Sequence, residues 1–353
     1  MANRITELLG IELPVIQAPM VAAALGDMVA AVAQAGGLGS LACPALDAQQ
    51  IRAEMALIRS LTDRPVNLNF FCHRQPAVDM AREMAWRARL QPYYDELGID
   101  PALPIPSSVR HPFGDEMCRV VEESRPGVVS FHFGLPSPEL LARVKATGAV
   151  VLSSATTVAE AVWLEQHGCD AIIAQGWEAG GHRGMFLTED IDGQVGTMAL
   201  VPQIVDAVTL PVIASGGIAD GRGVRAALAL GAEAVQVGTA YLLCPESRIS
   251  PAYRAALEVT SDGQTRLSNV FTGRPARGIA NRLLREVGPM SPLAPAFPLA
   301  GGASLLLKQK AEAQGSGDFS LLWSGQAARL AQAMPAAQLT RLLAAAAGYA
   351  SAP

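Results

Sequence analysis

The feature that most restricts the fold of this chain is an alternation. Short apolar runs of strand length, rich in Val and Ile, recur eight times over about 240 residues, at 15–16, 38–42, 66–71, 128–133, 149–154, 171–175, 211–215 and 234–237. Runs that are apolar at successive positions predict strands buried on both faces. The segments at 21–37, 47–61, 115–124, 137–147, 157–167, 200–208 and 221–230 read as the intervening helices, with Gly36-Gly37 as a stop and Asp47 as an N-cap. Such repeats imply right-handed crossovers and a parallel sheet. A closed (β/α)8 TIM barrel is expected over an open doubly wound sheet, because such barrels use about 250 residues. No GxGxxG follows the first strand, and GGLGS at 36–40 precedes a strand, the wrong context for a dinucleotide site.

Two insertions interrupt the alternation, near 79–112 and 185–198. The first joins a polar helix at 79–97 to the Pro-rich stretch IDPALPIPSSVRHPFG, and is expected over one mouth of the barrel. The second contains Asp192-Gly193, a hairpin signal that predicts a small β-flap. Beyond Tyr241 the pattern breaks. Residues 264–302 are rich in Gly, Pro and Arg, and 303–314 and 325–348 read as helices. The expected organisation is a barrel over 1–263 and a mostly helical subdomain without strands over 264–353, covering the barrel mouth.

Composition narrows the function classes. Half of the residues are apolar, yet no run reaches the roughly 18 to 20 residues of a membrane-spanning helix. The N-terminus carries Glu7 and Glu12 and shows no secretory signal, so a soluble, cytoplasmic protein is expected. A net charge of −5 without a basic cluster argues against nucleic acid. The five cysteines are widely spaced and lack a CxxC pair, indicating neither disulfides nor zinc. Oligomeric state is not legible.

Chemistry in a TIM barrel belongs at the carboxyl ends of the strands, with phosphate near strands seven and eight. Ser215-Gly216-Gly217 and Gln236-Val237-Gly238-Thr239 occupy those places. Glycines there let backbone N–H groups approach phosphate oxygens, or merely turn the chain. His182 follows the sixth strand in a glycine-rich loop and is a candidate general base. Asn69 and Gln175 are amides closing apolar strands, which makes them either ligand contacts or internally bonded groups. Ala18, Pro19 and Met20, at the end of strand one, offer backbone and thioether contacts to a flat ring. The remaining histidines show no metal-ligand spacing with His182, and no metal site is expected.

Taken in order, QAPM at 17–20, Asn69, QGWEAGGHRG at 175–184, ASGGI at 214–218, QVGT at 236–239, FTGRPARG at 271–278 and LWSGQ at 322–326 resemble the nitronate monooxygenase (2-nitropropane dioxygenase) family across nearly the whole chain. ASGGI recurs in many flavin barrels, whereas GGHRG with FTGRPARG and WSGQ is more specific. The resemblance implies an FMN-dependent monooxygenase with His182 acting on substrate. It implies FMN contacts from Ala18, Pro19, Met20, Asn69, Gln175, Gly180, Gly181, Ser215, Gly216, Gly217, Gln236, Val237, Gly238, Thr239, Trp323 and Gln326. The implied reaction oxidises alkyl nitronates or nitroalkanes, propionate 3-nitronate among them, with O2 to a carbonyl compound and nitrite, in a detoxifying role.

His182 would either remove the α-proton of a nitroalkane or act with Arg183 or another cation to hold an anionic nitronate. The family carries tyrosines ahead of the C-terminal helices, whereas residues 297–304 here contain none. Lys308 either offers a charge to an anionic substrate or is a solvated helix residue. Two other functions compete: an FMN-dependent NAD(P)H reductase acting on a quinone or enoyl thioester, and a flavin-free phosphate-binding barrel.

Overall fold

In the computed structural model, which describes residues 3–100, 103–106 and 110–349, the strands are β1 (Val15–Gln17), β2 (Gly39–Ala42), β3 (Val66–Phe71), β4 (Val128–His132), β5 (Val150–Ala155), β6 (Ala171–Gln175), a two-residue β7 (Gly181–His182), β8 (Val212–Ser215), β9 (Ala234–Val237), β10 (Thr265–Ser268) and β11 (Ala276–Ile279). Eight of these form one parallel sheet in the order β1-β9-β8-β6-β5-β4-β3-β2. A parallel bridge between Ile16 and Leu38 joins its ends, with Gln17 N donating to Leu38 O at 2.9 Å and Leu38 N to Val15 O at 3.0 Å. The sheet is thereby a closed (β/α)8 TIM barrel, as the alternation predicts.

The helices are α1 (Arg4–Leu9), α2 (Gly26–Gln34), α3 (Ala48–Leu61), α4 (Met80–Leu97), α5 (Asp115–Ser124), α6 (Pro138–Ala146), α7 (Val158–Gln166), α8 (Thr197–Ala207), α9 (Gly221–Ala229), α10 (Pro251–Val259), α11 (Arg282–Val287), α12 (Gly301–Ala313) and α13 (Ala336–Ala346). Asp47 caps α3 as expected, its carboxylate accepting from Gln50 N at 2.8 Å.

Strands β4, β5, β6, β8 and β9 run from apolar to polar along their inward faces. Ile16, Leu38, Val128, Leu152, Ile173 and Ile213 pack together with Ile5, Leu9 and Ile11. Segment α1, held by an Asn3–Thr6 capping box, therefore plugs the amino end of the barrel. The inward residues Asn69, Ser130, Ser154, Gln175, Ser215 and Gln236 line a cavity at the other end, with Phe71 and His132 beyond the first two. Outward residues such as Val15, Ile172, Val212 and Val235 meet the helices.

Several expectations change. Among the described residues, 185–198 contains no strand. Its backbone is held by side chains instead: Glu160 accepts from Phe186 N at 2.6 Å and Leu187 N at 3.3 Å, and Asp190 accepts from Asp192 N at 2.9 Å. The segment from 264 onward is not free of strands, because β10 and β11 pair antiparallel and β11 also pairs with β7, Ala276 opposite His182. The Pro-rich stretch lies partly outside the described residues.

The last helix also has an unexpected place. Ala336, Leu339, Leu343 and Ala344 of α13 are buried with Met28 of α2, Val224 of α9 and Val15 of β1. Segment α13 thus completes the ring of helices around the barrel. The cover over the mouth is the excursion between β9 and α13, and it shares a core with the first insertion, where Trp86, Leu90 and Tyr94 of α4 meet Phe271, Leu307 and Phe319. Leu343 is 0% exposed, so Leu343→Ala should lower the global unfolding free energy by about 3 kcal/mol, measured by urea denaturation followed by circular dichroism. A helix that merely rested on the mouth would leave the main transition in place.

Candidate active site

The loop bearing His182 leaves the barrel where β6 ends and is fastened at both sides by one side chain. Gln175 donates from Nε2 to His182 O at 2.9 Å, and its Oε1 accepts from Gly184 N at 2.7 Å. His132 Nε2 lies 3.1 Å from His182 O, and its Nδ1 lies 3.0 Å from Ser154 Oγ. A carbonyl only accepts, so His132 carries its proton on Nε2 and takes the Ser154 hydroxyl at Nδ1. Gln175 is thus an internally bonded amide that also lines the cavity.

Arg183 does not serve as an anion holder. It is 0% exposed, and its guanidinium donates to Gln194 Oε1 at 2.7 Å, Gly176 O at 2.7 Å and Gln175 O at 2.9 Å. Burial, with Arg277 nearby, lowers its pKa to about 9. The expectation that Arg183 assists His182 with an anion is corrected, because those donors already satisfy the end of β6.

His182 presents its imidazole between rings. Phe71, Phe133, Phe297 and Trp323 have centroids 6.0, 6.1, 5.3 and 5.6 Å away. Burial, with the charges of Arg110 and Arg274, holds its pKa well below the ordinary histidine value. The ring is therefore neutral at pH 7. Its Nε2 is 2.9 Å from Thr272 Oγ1, and that hydroxyl lies 3.4 Å from Arg274 O. If the hydroxyl donates to the carbonyl, Nε2 carries the proton, and Nδ1 holds the lone pair available to a substrate.

The cavity has a volume of about 520 Å3. Ala18, Pro19 and Met20 reach it from β1, Asn69 from β3, and Gly180, Gly181 and His182 from the β6 loop. Ser215, Gly216 and Gly217 follow β8, Gln236, Gly238 and Thr239 follow β9, and Trp323 closes from the cover. Gly216 and Gly217 have φ of +115° and +71°, which a side chain would resist. A Cβ at Gly180 would lie 2.5 Å from Gly325 N. Thr239 Oγ1 accepts from Gly325 N at 2.9 Å, fastening the WSGQ segment to this cradle. Glu178 also reaches the cavity, with its carboxylate accepting from Thr197 N and Oγ1 at 2.8 and 2.9 Å on the first turn of α8.

Two expected contacts fall elsewhere. Val237 alternates with Gln236 along β9, so its side chain is buried on the helix side of the barrel. Gln326 is exposed and contributes its backbone N–H, donated to Glu178 O at 2.9 Å. The cavity also gathers Arg110, Ser130, Ser154, Tyr253 and Glu312, which sequence reasoning missed. Ser130 and Ser154 carried a usable signal, being polar residues at the ends of apolar strands like Asn69. Tyr253 and Glu312, from the cover, carried none.

The arrangement can hold a flat ligand with a phosphate tail. Among the described residues Gln236 Oε1 is buried without a hydrogen-bond partner, and such an acceptor calls for a donor. The glycine cradle stands beside it, and a neutral histidine lines the same cavity. Among the described residues no group of His, Cys, Asp or Glu is arranged to hold a metal, and no helix is long and apolar enough to cross a membrane.

The family model for nitronate monooxygenase matches residues 2–345. A nitronate monooxygenase from Pseudomonas aeruginosa is 45% identical over 345 residues, spanning 97% of this chain and 98% of that protein. The crystal structure of nitroalkane oxidase from Streptomyces ansochromogenes superposes with a TM-score of 0.89 at 38% identity, covering 98% of this chain and 99% of that one. The structure of FabK from Thermotoga maritima gives 0.73 at 28% identity, covering 98% and 96%.

The buried histidines set an acid limit on the fold. Burial, reinforced by Arg274, lowers His73 to about 4, and burial lowers His132 to about 3. The unfolded chain protonates both below about 6.5, whereas the native state does not. Native stability is therefore full above that pH and falls as pH drops toward 4 for His73 and 3 for His132, by up to about 1.4 kcal/mol per pH unit for each. Thermal unfolding between pH 7 and 5 should show a falling midpoint, and His132→Asn should flatten that slope.

Proposed function

This chain belongs to the nitronate monooxygenase family, an oxidoreductase family, and from that premise we propose that it is an FMN-dependent enzyme that oxidises alkyl nitronates with O2 to a carbonyl compound and nitrite. Propionate 3-nitronate and nitroalkanes fall within this reading, and detoxification of such compounds is the role it suggests. The observation that carries it is one cavity lined by a glycine cradle, an unpartnered Gln236 oxygen and a neutral His182. These residues fit FMN.

Gly216, Gly217, Gly238 and Thr239 would receive its phosphate through backbone N–H groups, which the positive φ at the first two makes accessible. Gln236 Oε1 would accept from a ring N–H. Ala18, Pro19 and Met20 supply wall, and Asn69, held by its Nδ2 on Ser130 Oγ at 2.9 Å, keeps its oxygen for the ligand. When bound, FMN supplies the electron-accepting chemistry and the reaction with O2.

The chain's own contribution is proton handling and exclusion of water. A nitronate arrives without its α-proton and needs no base. A neutral nitroalkane must lose that proton, and Nδ1 of His182, kept unprotonated by burial, receives it while Thr272 holds Nε2–H. The surrounding aromatic rings keep bulk water from the imidazole.

His182→Asn should lower kcat/KM for nitroethane by about 10²–10⁴-fold while ethyl nitronate stays within about tenfold. Equal loss for both substrates sinks the base assignment. Anaerobic mixing separates this reading from the NAD(P)H reductase: bleaching of the flavin spectrum by ethyl nitronate and not by NADH is expected.

A further inference from the structure

Part of the cavity wall comes from the cover, and its chemistry differs from that of the cradle. Leu242, Ile249, Tyr253, Leu305 and Leu321 supply apolar surface there. The Tyr253 hydroxyl is bonded to Trp323 O and offers no free donor to a ligand. Segment α12 adds two charged residues to the same wall, Lys308 and Glu312, one helical turn apart. Lys308 Nζ donates to Glu312 Oε2 at 2.8 Å, and Ser320 Oγ donates to Glu312 Oε1 at 2.6 Å.

On an open helix face such an i,i+4 pair would be a minor contributor to stability. Here the carboxylate is fixed by two side chains, and its lysine is the cation that α12 would otherwise present to an anionic ligand, on a different part of the wall from Arg110 beside His182. Burial alone would raise the Glu312 pKa, but the hydrogen bonds from Lys308 and Ser320 outweigh it and hold the group below its ordinary value. The carboxylate thus stays ionised at neutral pH. Arg248, which also lines the cavity, is 60% exposed and paired with Asp27.

We propose that Glu312 determines which nitronates this site accepts: by occupying Lys308 it disfavours substrates with a second anionic group, such as propionate 3-nitronate, and favours those with an apolar tail. A carboxylate-tailed ligand has to displace Glu312 from Lys308 and then lie beside it. An alkyl tail meets Leu305, Leu321 and Ile249 without that conflict. The inference rests on the nitronate reading for its substrates, but the charge selection belongs to the cavity itself.

The test compares the flavin-loaded parent with Glu312→Gln, which keeps the Ser320 contact, and with Glu312→Gln combined with Lys308→Met. The ratio of kcat/KM for propionate 3-nitronate to that for butyl nitronate should lie below one in the parent. It should rise about tenfold in Glu312→Gln, the scale of one hydrogen bond to a charged group, and fall back in the double variant. A parent that already prefers propionate 3-nitronate, or a ratio that does not move, overturns the proposal.

Titration calorimetry with succinate reads the same selection without turnover. Binding about tenfold tighter in Glu312→Gln and lost again in the double variant supports the proposal even if neither nitronate is consumed, which would overturn the proposed reaction instead. Equal succinate binding by all three proteins overturns the charge selection whatever the enzyme oxidises.

Discussion

The geometry of the site depends on a buried arginine that makes no direct ion pair among the described residues, although the charges of Glu178 and Glu160 act on it. Arg183 is fully enclosed, and neutral oxygens, two of them carbonyls at the end of β6, satisfy its guanidinium. Burying a charge is costly unless its hydrogen bonds are complete. Here their completion has a structural effect. With the Gln175 and Gly176 carbonyls taken by Arg183, the chain turns out of the barrel and passes His182 to the short sheet with β11. The residue beside the candidate base acts on the fold, and through the fold on the base.

A second constraint operates along five of the barrel strands, β4, β5, β6, β8 and β9. The inward residues change from apolar to polar over the last two or three positions, so the same alternation that packs the lower barrel opens its upper end. Ile173 and Gln175 illustrate it on β6, Ile213 and Ser215 on β8, and Ala234 and Gln236 on β9. The apolar layer fixes the register, and the polar layer inherits its placement. Asn69 and His132 are oriented by the same inheritance, each bonded to a serine of its own or a neighbouring strand.

Much of this is legible in the sequence, and for a clear reason. Strand runs, N-caps such as Asp47 and the glycines after β8 are local signals, so the barrel, its mouth and His182 follow from the chain alone. What is not legible depends on distant partners. The four-residue strands β10 and β11 each carry an arginine, β11 a glycine as well, and they exist because they pair with each other and β11 with β7. Arg183 looked available beside His182 until its partners placed it inside the protein. Val237 shows a smaller failure: a motif of consecutive residues on a strand cannot all face one ligand. The helix expected over 325–348 forms only at 336–346, and it joins the wall instead of the cover, because nothing local distinguishes a helix that caps a barrel from one that completes its wall.

That last helix has a consequence for how the molecule comes into being. The ring around the barrel is closed by residues 336–346, and the strand beside His182 comes from residues 276–279, whereas the plug at the barrel's other end is made by residues 4–9. A chain emerging from the ribosome would complete all eight barrel strands before it possessed either the wall helix packed against the first or the partner that positions its histidine. The wall helix emerges after the strand beside His182, although the backbone hydrogen bonds that close the barrel all lie within residues 15–237.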